Sequence, residues 1–270
     1  MSSMADQPDL GLFGPDSVTW RIHGDPSSLV GGLRALLIQA LNPLAMAAVA
    51  QYSNYKDNVW ERFQRTSDYI MVTTFGDTPT AEAAAARVRQ LHKRVSGVDD
   101  ITGSPYRADD PRLLLWVHNV EVDSFLTAYR RFGRPLTEED ADRYVAEMVR
   151  AAELIGLSAD DVPSSLGELH DYLDGVTNLR LTPAAKEGMT YVLNPPMPLP
   201  AKPLWILPAA AAVSILPPHI RKMYGLPWFP PADPAVRLAV STLVRTMNVL
   251  LPGPPVLQEA RARAAAVAAA

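Results

Sequence analysis

The amino-acid sequence predicts an all-α fold, a single-domain helical bundle, from three observations. Apolar residues recur every three to four positions over the first two-thirds of the chain, which is the period of a helix with one buried face. No stretch alternates apolar and polar residues for long enough to favour a sheet. No low-complexity linker divides the 270 residues, of which 48% are apolar, so we expect one large core.

Start and stop signals place five helices in the first two-thirds of the chain. An Asp or Thr before a proline or an acidic turn is a typical N-cap, and glycine typically follows the last turn. The predicted helices are residues 26–50 with a kink at Pro43, 55–75 ended by Gly76, 79–96 capped by Thr78 and ended by Gly97, 111–132 capped by Asp110 and ended by Gly133, and 138–155 capped by Thr137 and ended by Gly156. Residues 99–110 are predicted to form a polar loop.

The last third of the chain has a different pattern. Fifteen of the twenty-five prolines lie between Pro195 and Pro255, which predicts short helices broken by turns. Apolar residues 204–216 are too few to span a bilayer, so we predict a helix that is buried in the core or contacts a membrane surface peripherally. Trp228 and Phe229 either line a substrate channel or fill the core.

The whole chain, residues 1–270, is predicted to form this one domain. We expect its core over residues 12–255 and a helical tail over residues 256–270. The tail is alanine-rich and has few large apolar side chains, so the sequence predicts a frayed surface helix or an expression remnant without a function.

Composition and charge exclude several classes of protein. The 25 basic and 29 acidic side chains give a net charge of −4, which offers no electrostatic basis for binding nucleic acid. The absence of cysteine excludes disulfides, thiolate catalysis, Cys-ligated zinc and iron–sulfur clusters. The first residues lack a basic segment followed by an apolar one, so we predict a cytoplasmic protein. A homodimer is the default oligomer.

Common catalytic motifs are absent from the sequence. It contains no G-x-G-x-x-G, P-loop, H-E-x-x-H or G-x-S-x-G motif, and no Glu-x-x-His pair of the kind that di-iron bundles use. Two of the five histidines, His92 and His118, lie within predicted helices on partly apolar faces. Each is either a hydrogen-bonded core residue or, in a cysteine-free helical chain, an imidazole that binds a haem.

One face of the predicted 55–75 helix carries a second candidate group. Arg62, Arg65, Thr66 and Tyr69 recur at helical spacing on that face. The face is either a solvated basic surface or the wall of a pocket. In a pocket, the guanidinium groups could pair with haem propionates and the threonine hydroxyl could donate a hydrogen bond to dioxygen or substrate.

Several segments of the chain form a set of motifs with a specific order and spacing. These motifs are Arg62-x-x-Arg65-Thr66, Thr74-Phe75-Gly76, Arg87-Val88-Arg89-Gln90-Leu91-His92-x-x-Val95-x-Gly97, Trp116-Val117-His118 and Leu216-Pro217-Pro218-x-x-Arg221. In their order and spacing, over most of residues 12–230, they resemble a known family, the haem-binding oxygenases named after MpaB, which includes the latex clearing proteins, bacterial rubber oxygenases.

The resemblance implies a helical bundle of the latex-clearing-protein type that encloses one b-type haem. It implies His92 as the proximal iron ligand, and Arg62 and Thr66 as residues that flank the distal side of the haem. Arg65 stands where latex clearing proteins have a lysine that can ligate iron. A guanidinium is a poor iron ligand, so the resemblance implies a distal site that is open, water-bound or filled by another side chain. His118 matches a family motif and either contacts the iron or lines the pocket.

We therefore expect a haem b-dependent oxygenase that combines dioxygen with a hydrophobic small-molecule or lipid-like substrate. Arg62 and Thr66 are its candidate catalytic residues, and His92, Arg62, Arg65, Thr66 and His118 its candidate haem-binding residues. Two alternatives stay open at this point. One is a non-catalytic haem-binding or sensing protein with a six-coordinate iron, and the other is a cofactor-free helical interaction protein.

Overall fold

The computed structural model describes residues 8–53, 58–227 and 230–269. Thirteen α-helices account for most of these residues, and a single two-stranded hairpin is their only sheet, so the prediction of an all-α fold is confirmed. The helices are α1 (Val18–His23), α2 (Ser28–Gln39), α3 (Pro43–Tyr52), α4 (Val59–Phe75), α5 (Thr78–His92), α6 (Pro111–Phe132), α7 (Glu138–Ile155), α8 (Leu166–Asp174), α9 (Pro183–Leu193), α10 (Lys202–Ser214), α11 (Pro218–Tyr224), α12 (Asp233–Leu250) and α13 (Pro255–Ala268).

The region predicted as one kinked helix over residues 26–50 is two helices, so that prediction was wrong. The axes of α2 and α3 differ by 104° across the break. The Asn42 side chain accepts hydrogen bonds from the amides of Leu44 and Ala45, and Pro43 is the first residue of α3. An asparagine N-cap followed by proline favours the start of a new helix. Proline has no backbone N–H, and at the first helical position that group would have no partner within the helix.

The helix predicted to end at residue 96, before Gly97, ends four residues earlier, at His92. Its N-cap is Asp77, whose side chain accepts from the Thr80 amide, and Thr78 is already helical. Beyond the helix, β1 (Ser96–Val98) pairs antiparallel with β2 (Pro105–Arg107) inside the stretch predicted as helix end and polar loop. Strands of three residues are too short to leave an alternating pattern in the sequence.

The two longest helices of the first two-thirds of the chain follow their capping signals. The Asp110 side chain accepts from the Arg112 amide at the start of α6, and Thr137 accepts from the Asp140 amide at the start of α7. Gly156 ends α7 with φ of 102°, a conformation that favours glycine. The predicted bounds of both helices are therefore confirmed.

Close packing of α2 on α6 forms the centre of the bundle. A Cβ on Gly31 would lie 2.8 Å from the Phe125 ring, so this approach requires a glycine. Beside it, the Arg34 guanidinium forms a buried ion pair of 2.7 Å with Asp123 and donates to the Ser124 hydroxyl at 2.7 Å. These contacts fix the relative position of the two helices that supply much of the site described below.

The proline-rich third forms short helices as predicted, except for α12, which has 18 residues. Its proline, Pro234, lies in the first turn, where the backbone N–H that proline lacks would have no partner within the helix. The tail is not frayed. Leu257 and Ala260 of α13 are buried against Trp20 and Phe75, so the prediction of a loose surface helix was wrong. The segment with Trp228 and Phe229 lies outside the described residues.

Within the described ranges, no individual helix combines the length and the apolar composition needed to cross a membrane. α2 and α3 pass that test only when taken together across their bend.

Candidate functional site

A large cavity of about 480 Å³ lies inside the bundle, mainly between α2, α3, α4 and α6. Its volume is within the range of small-molecule and cofactor sites, which is roughly 300–1,000 Å³. The walls are mostly apolar, with Leu29, Leu33 and Leu36 on α2 and Met46 on α3. This large cavity suits a hydrophobic ligand or a flat cofactor.

Aromatic side chains close one end of the large cavity. The rings of Trp60 and Phe63, on α4, meet the ring of Trp205 edge to face, with centroids 5.3 and 6.1 Å apart. The Trp60 indole donates a 2.7 Å hydrogen bond to the Pro196 carbonyl, which attaches the proline-rich segment to α4. Trp60 is 40% exposed, so this end of the cavity lies near the protein surface.

Two of the predicted residues on α4 line the large cavity, and the third does not. Arg62 and Thr66 are four residues apart and therefore share a helix face, which forms part of the wall. The Arg62 guanidinium donates to the Ser53 hydroxyl at the end of α3, and the Thr66 hydroxyl donates to the Arg62 carbonyl at 3.1 Å. Arg65 is exposed and lies outside the cavity wall.

His92 is the last residue of α5 and its ring lines the large cavity. Its Nδ1 atom is buried and has no hydrogen-bond partner among the described residues. Burial lowers the pKa of His92, against a smaller opposing effect of the Asp109 carboxylate. The ring is therefore neutral at physiological pH, which is the form of imidazole that binds metals.

His23 also lines the large cavity, but its ring is fully engaged within the protein. Nδ1 is 2.8 Å from the Thr74 hydroxyl and Nε2 is 2.9 Å from the Tyr144 hydroxyl. Burial lowers the pKa of His23 to about 3, so it stays neutral. A histidine with both nitrogens bonded in this way is a structural residue, and its ring is held by α4 and α7.

His118 does not line the large cavity that contains the His92 ring. It lines a small cavity of about 40 Å³ behind the large one, together with Tyr69 and Thr73 of α4. Burial lowers its pKa to about 4. The other two histidines of the chain, His170 and His219, are exposed. Among the described residues, the large cavity is thus lined by two histidines, of which His92 has an unpartnered nitrogen.

Glu121 is a site residue that sequence reasoning missed. It borders both the large and the small cavity, and burial raises its pKa from 4.5 to about 7. Its signal in the sequence is its position: Leu113, Val117, Glu121 and Phe125 follow one another at intervals of four on α6, and all four line the large cavity. A single carboxylate in an apolar stripe of this kind indicates a ligand site or a buried ion pair.

The residues around the large cavity are of the kinds that could hold a haem. A neutral imidazole with a buried, unpartnered nitrogen could ligate the iron, the apolar walls could enclose the macrocycle, and Arg62 could place a positive charge beside it. No group of three His, Asp or Glu side chains in the described part of the chain is arranged to bind a bare metal ion.

Comparison with known proteins identifies the family. The family model described as "ER-bound oxygenase mpaB/B'/Rubber oxygenase, catalytic domain" matches residues 20–249, a range that contains every cavity residue discussed above. Neither the curated proteins nor the solved structures gave a match to the chain.

Proposed function

Because the chain belongs to the family of mpaB-type and rubber oxygenase catalytic domains, we propose that it is a haem-dependent oxygenase with a hydrophobic small-molecule substrate. The proposal assigns the large cavity as the site of both the haem and the substrate. It assigns His92 as the proximal ligand, and Arg62 and Thr66 as the polar residues that act on the reacting groups.

The observation that carries the proposal is the lack of a hydrogen-bond partner for the buried Nδ1 atom of His92 among the described residues. A buried polar atom normally has a hydrogen-bond partner, and the loss of one costs about 1–3 kcal/mol. The Nδ1 atom of His92 lacks a partner among the described residues, although the ring faces a cavity large enough for a cofactor. His23 shows the alternative, because a histidine of the same cavity has both nitrogens bonded when its role is structural.

In this proposal the residues of the large cavity have separate roles in holding the cofactor and binding the substrate. Haem b, when bound, supplies a redox-active iron that reacts with dioxygen. The neutral imidazole of His92 holds the cofactor in place. The Arg62 guanidinium offers fixed positive charge. The Thr66 hydroxyl, which donates to the Arg62 carbonyl, can accept a hydrogen bond from the reacting groups or rotate to donate one to them. The apolar walls exclude water and bind the hydrocarbon part of the substrate. A sixth ligand from His118 is not part of the proposal, since that ring lines the small cavity.

Haem retention in a pair of histidine variants tests the proposal. We expect the purified protein to show a Soret band and about one b-type haem per chain in a pyridine haemochrome assay. His92→Ala removes the imidazole from the cavity and should abolish or greatly weaken haem retention, whereas its helical circular dichroism should persist. His170→Ala is the matched control, because that histidine is exposed on α8.

Two outcomes would contradict the proposal. Normal haem content in His92→Ala would exclude His92 as the anchor. A colourless wild-type protein, even after reconstitution with haem, would mean that the haem-dependent function itself is wrong.

A further inference from the structure

Glu121 is the one acidic side chain in the wall of the large cavity, as far as the described residues show. It lies at the middle of α6, between Val117 one turn before and Phe125 one turn after, and both of these neighbours are apolar. An apolar residue at this position would complete the stripe. A carboxyl group there reduces the apolar packing of the wall and therefore needs an explanation beyond the fold.

Several other polar side chains of the wall have partners within the protein. Gln39 donates to the Val117 carbonyl at 2.9 Å, Thr66 donates to the Arg62 carbonyl, and both ring nitrogens of His23 are bonded. The Glu121 carboxyl receives no hydrogen bond or ion pair from the ranges that the structure describes, and burial alone accounts for its raised pKa. It shares this lack of a partner with His92, the proposed haem ligand.

The titratable groups that face Glu121 do not compensate its charge. His23 on α1 and His118 on α6 are neutral, since burial lowers both pKa values well below 6. The phenols of Tyr69 on α4 and Tyr144 on α7 also stay neutral, since burial and, to a smaller extent, the charge of Glu121 raise the pKa of each. Near neutral pH the carboxyl group is therefore divided between its protonated and ionised forms.

We propose that Glu121 is the polar recognition point of the large cavity, and that the substrate is a hydrophobic molecule with a single hydroxyl group that binds this carboxyl. A hydroxyl donates to a carboxylate and accepts from a carboxylic acid, so it suits both forms of the residue. An amine pairs only with the ionised form. This inference rests on the proposed function, since it treats the large cavity as the substrate site.

Binding of two matched probes tests the inference. 1-Octanol and 1-methoxyheptane have the same number of heavy atoms, but the ether lacks the hydroxyl proton. We expect isothermal titration of the purified protein at about pH 8.5, where most of the carboxyl group is ionised, to show that octanol binds about tenfold more tightly than the ether. Only the hydroxyl can donate to the carboxylate, and a hydrogen bond to a charged group is worth about one decade or more in affinity. Glu121→Leu should reduce the preference to within about twofold, and the ether should bind at least as tightly as before.

Two further variants guard against an effect of misfolding. Glu121→Gln keeps the size of the side chain and offers an amide N–H to either oxygen, so it should bind both probes and show a smaller preference for octanol than the wild-type protein. Ser67→Ala, at another polar position of the cavity wall, should keep all of it. Equal affinities for octanol and ether in the wild-type protein, or an unchanged preference in Glu121→Leu, would overturn the inference.

Octylamine separates recognition of a hydroxyl from recognition of a cation. Tighter binding of octylamine than of octanol at neutral pH, lost in Glu121→Gln, would replace the hydroxyl with an amine and overturn the stated substrate class. Haem content measured on the same samples keeps the two proposals apart. Normal haem with no preference between octanol and ether refutes only the role of Glu121, whereas absent haem with a clear preference refutes only the haem-dependent function.

Discussion

Replacement of Glu121 by glutamine should make the protein more stable at neutral and alkaline pH. The change keeps the size of the side chain and removes its ability to ionise. Burial raises the pKa of Glu121 from 4.5 to about 7, so ionisation of this group is harder in the folded than in the unfolded chain. At about 1.4 kcal/mol per pH unit, the difference corresponds to at most roughly 3 to 4 kcal/mol of unfolding free energy.

The pH dependence has a definite sign. Below about pH 4.5 the carboxyl group is protonated in both states and costs nothing. As the pH rises from 4.5 to about 7, the unfolded chain loses its proton first, so the folded state of the wild-type protein loses stability. Above about pH 7 both states are ionised and the full difference is present. The advantage of Glu121→Gln should therefore grow across this window and then stay constant.

Urea denaturation followed by circular dichroism, at several pH values between about 4 and 8, measures this difference. Glu82→Gln serves as the control, because Glu82 is an exposed glutamate on α5. We expect the wild type and Glu82→Gln to give parallel curves and Glu121→Gln to diverge from both. Three parallel curves would mean that Glu121 is solvated or paired in the folded state, and the reasoning from its burial would fail.

Two other predictions concern the remaining polar residues of the site. Arg62→Ala and Thr66→Ala should retain haem but weaken dioxygen binding by the reduced protein about tenfold, as for other lost charge-assisted hydrogen bonds, whereas the exposed Arg65→Ala should stay within about twofold in a flash-photolysis measurement. Tyr144→Phe removes the partner of the His23 Nε2 atom and should cost about 1–3 kcal/mol of unfolding free energy in a urea titration, and an unchanged midpoint would show that this bond is replaceable.

Local signals predicted the parts of the fold that local interactions determine. The starts of α6 and α7 depend on side-chain caps one to three residues away, and both could be predicted to the residue. The docking of α13 depends on Leu257 reaching Trp20, which is more than two hundred positions away in the chain. Its sequence alone shows only an alanine-rich helix. The β1–β2 hairpin was missed for a different reason. Each of its strands has three residues, which is too short for apolar and polar residues to alternate recognisably.

The candidate site could likewise be predicted from the sequence only in part. The choice of His92 came from the resemblance to a family, because His92 and His118 have equivalent positions on partly apolar helix faces. Their spacing does not distinguish them, whereas the tertiary structure puts the His92 ring in the large cavity and the His118 ring in the small one. Glu121 was visible as a carboxylate in an apolar stripe, but spacing alone does not distinguish a ligand-facing carboxylate from one paired with a cation on a neighbouring helix.

The pattern of satisfied and unsatisfied groups supports one common interpretation of His92 and Glu121. If the wall of the large cavity were ordinary protein core, both residues would be expected to have partners, as His23 has in Thr74 and Tyr144. An unpartnered imidazole and an unpartnered carboxyl in the same apolar cavity both reduce stability. Proteins keep destabilising residues of this kind mainly where binding requires them. The two residues therefore indicate two different functions of one binding site. The imidazole suits a metal-bearing cofactor, and the carboxyl suits the polar end of a substrate whose remaining surface is hydrocarbon.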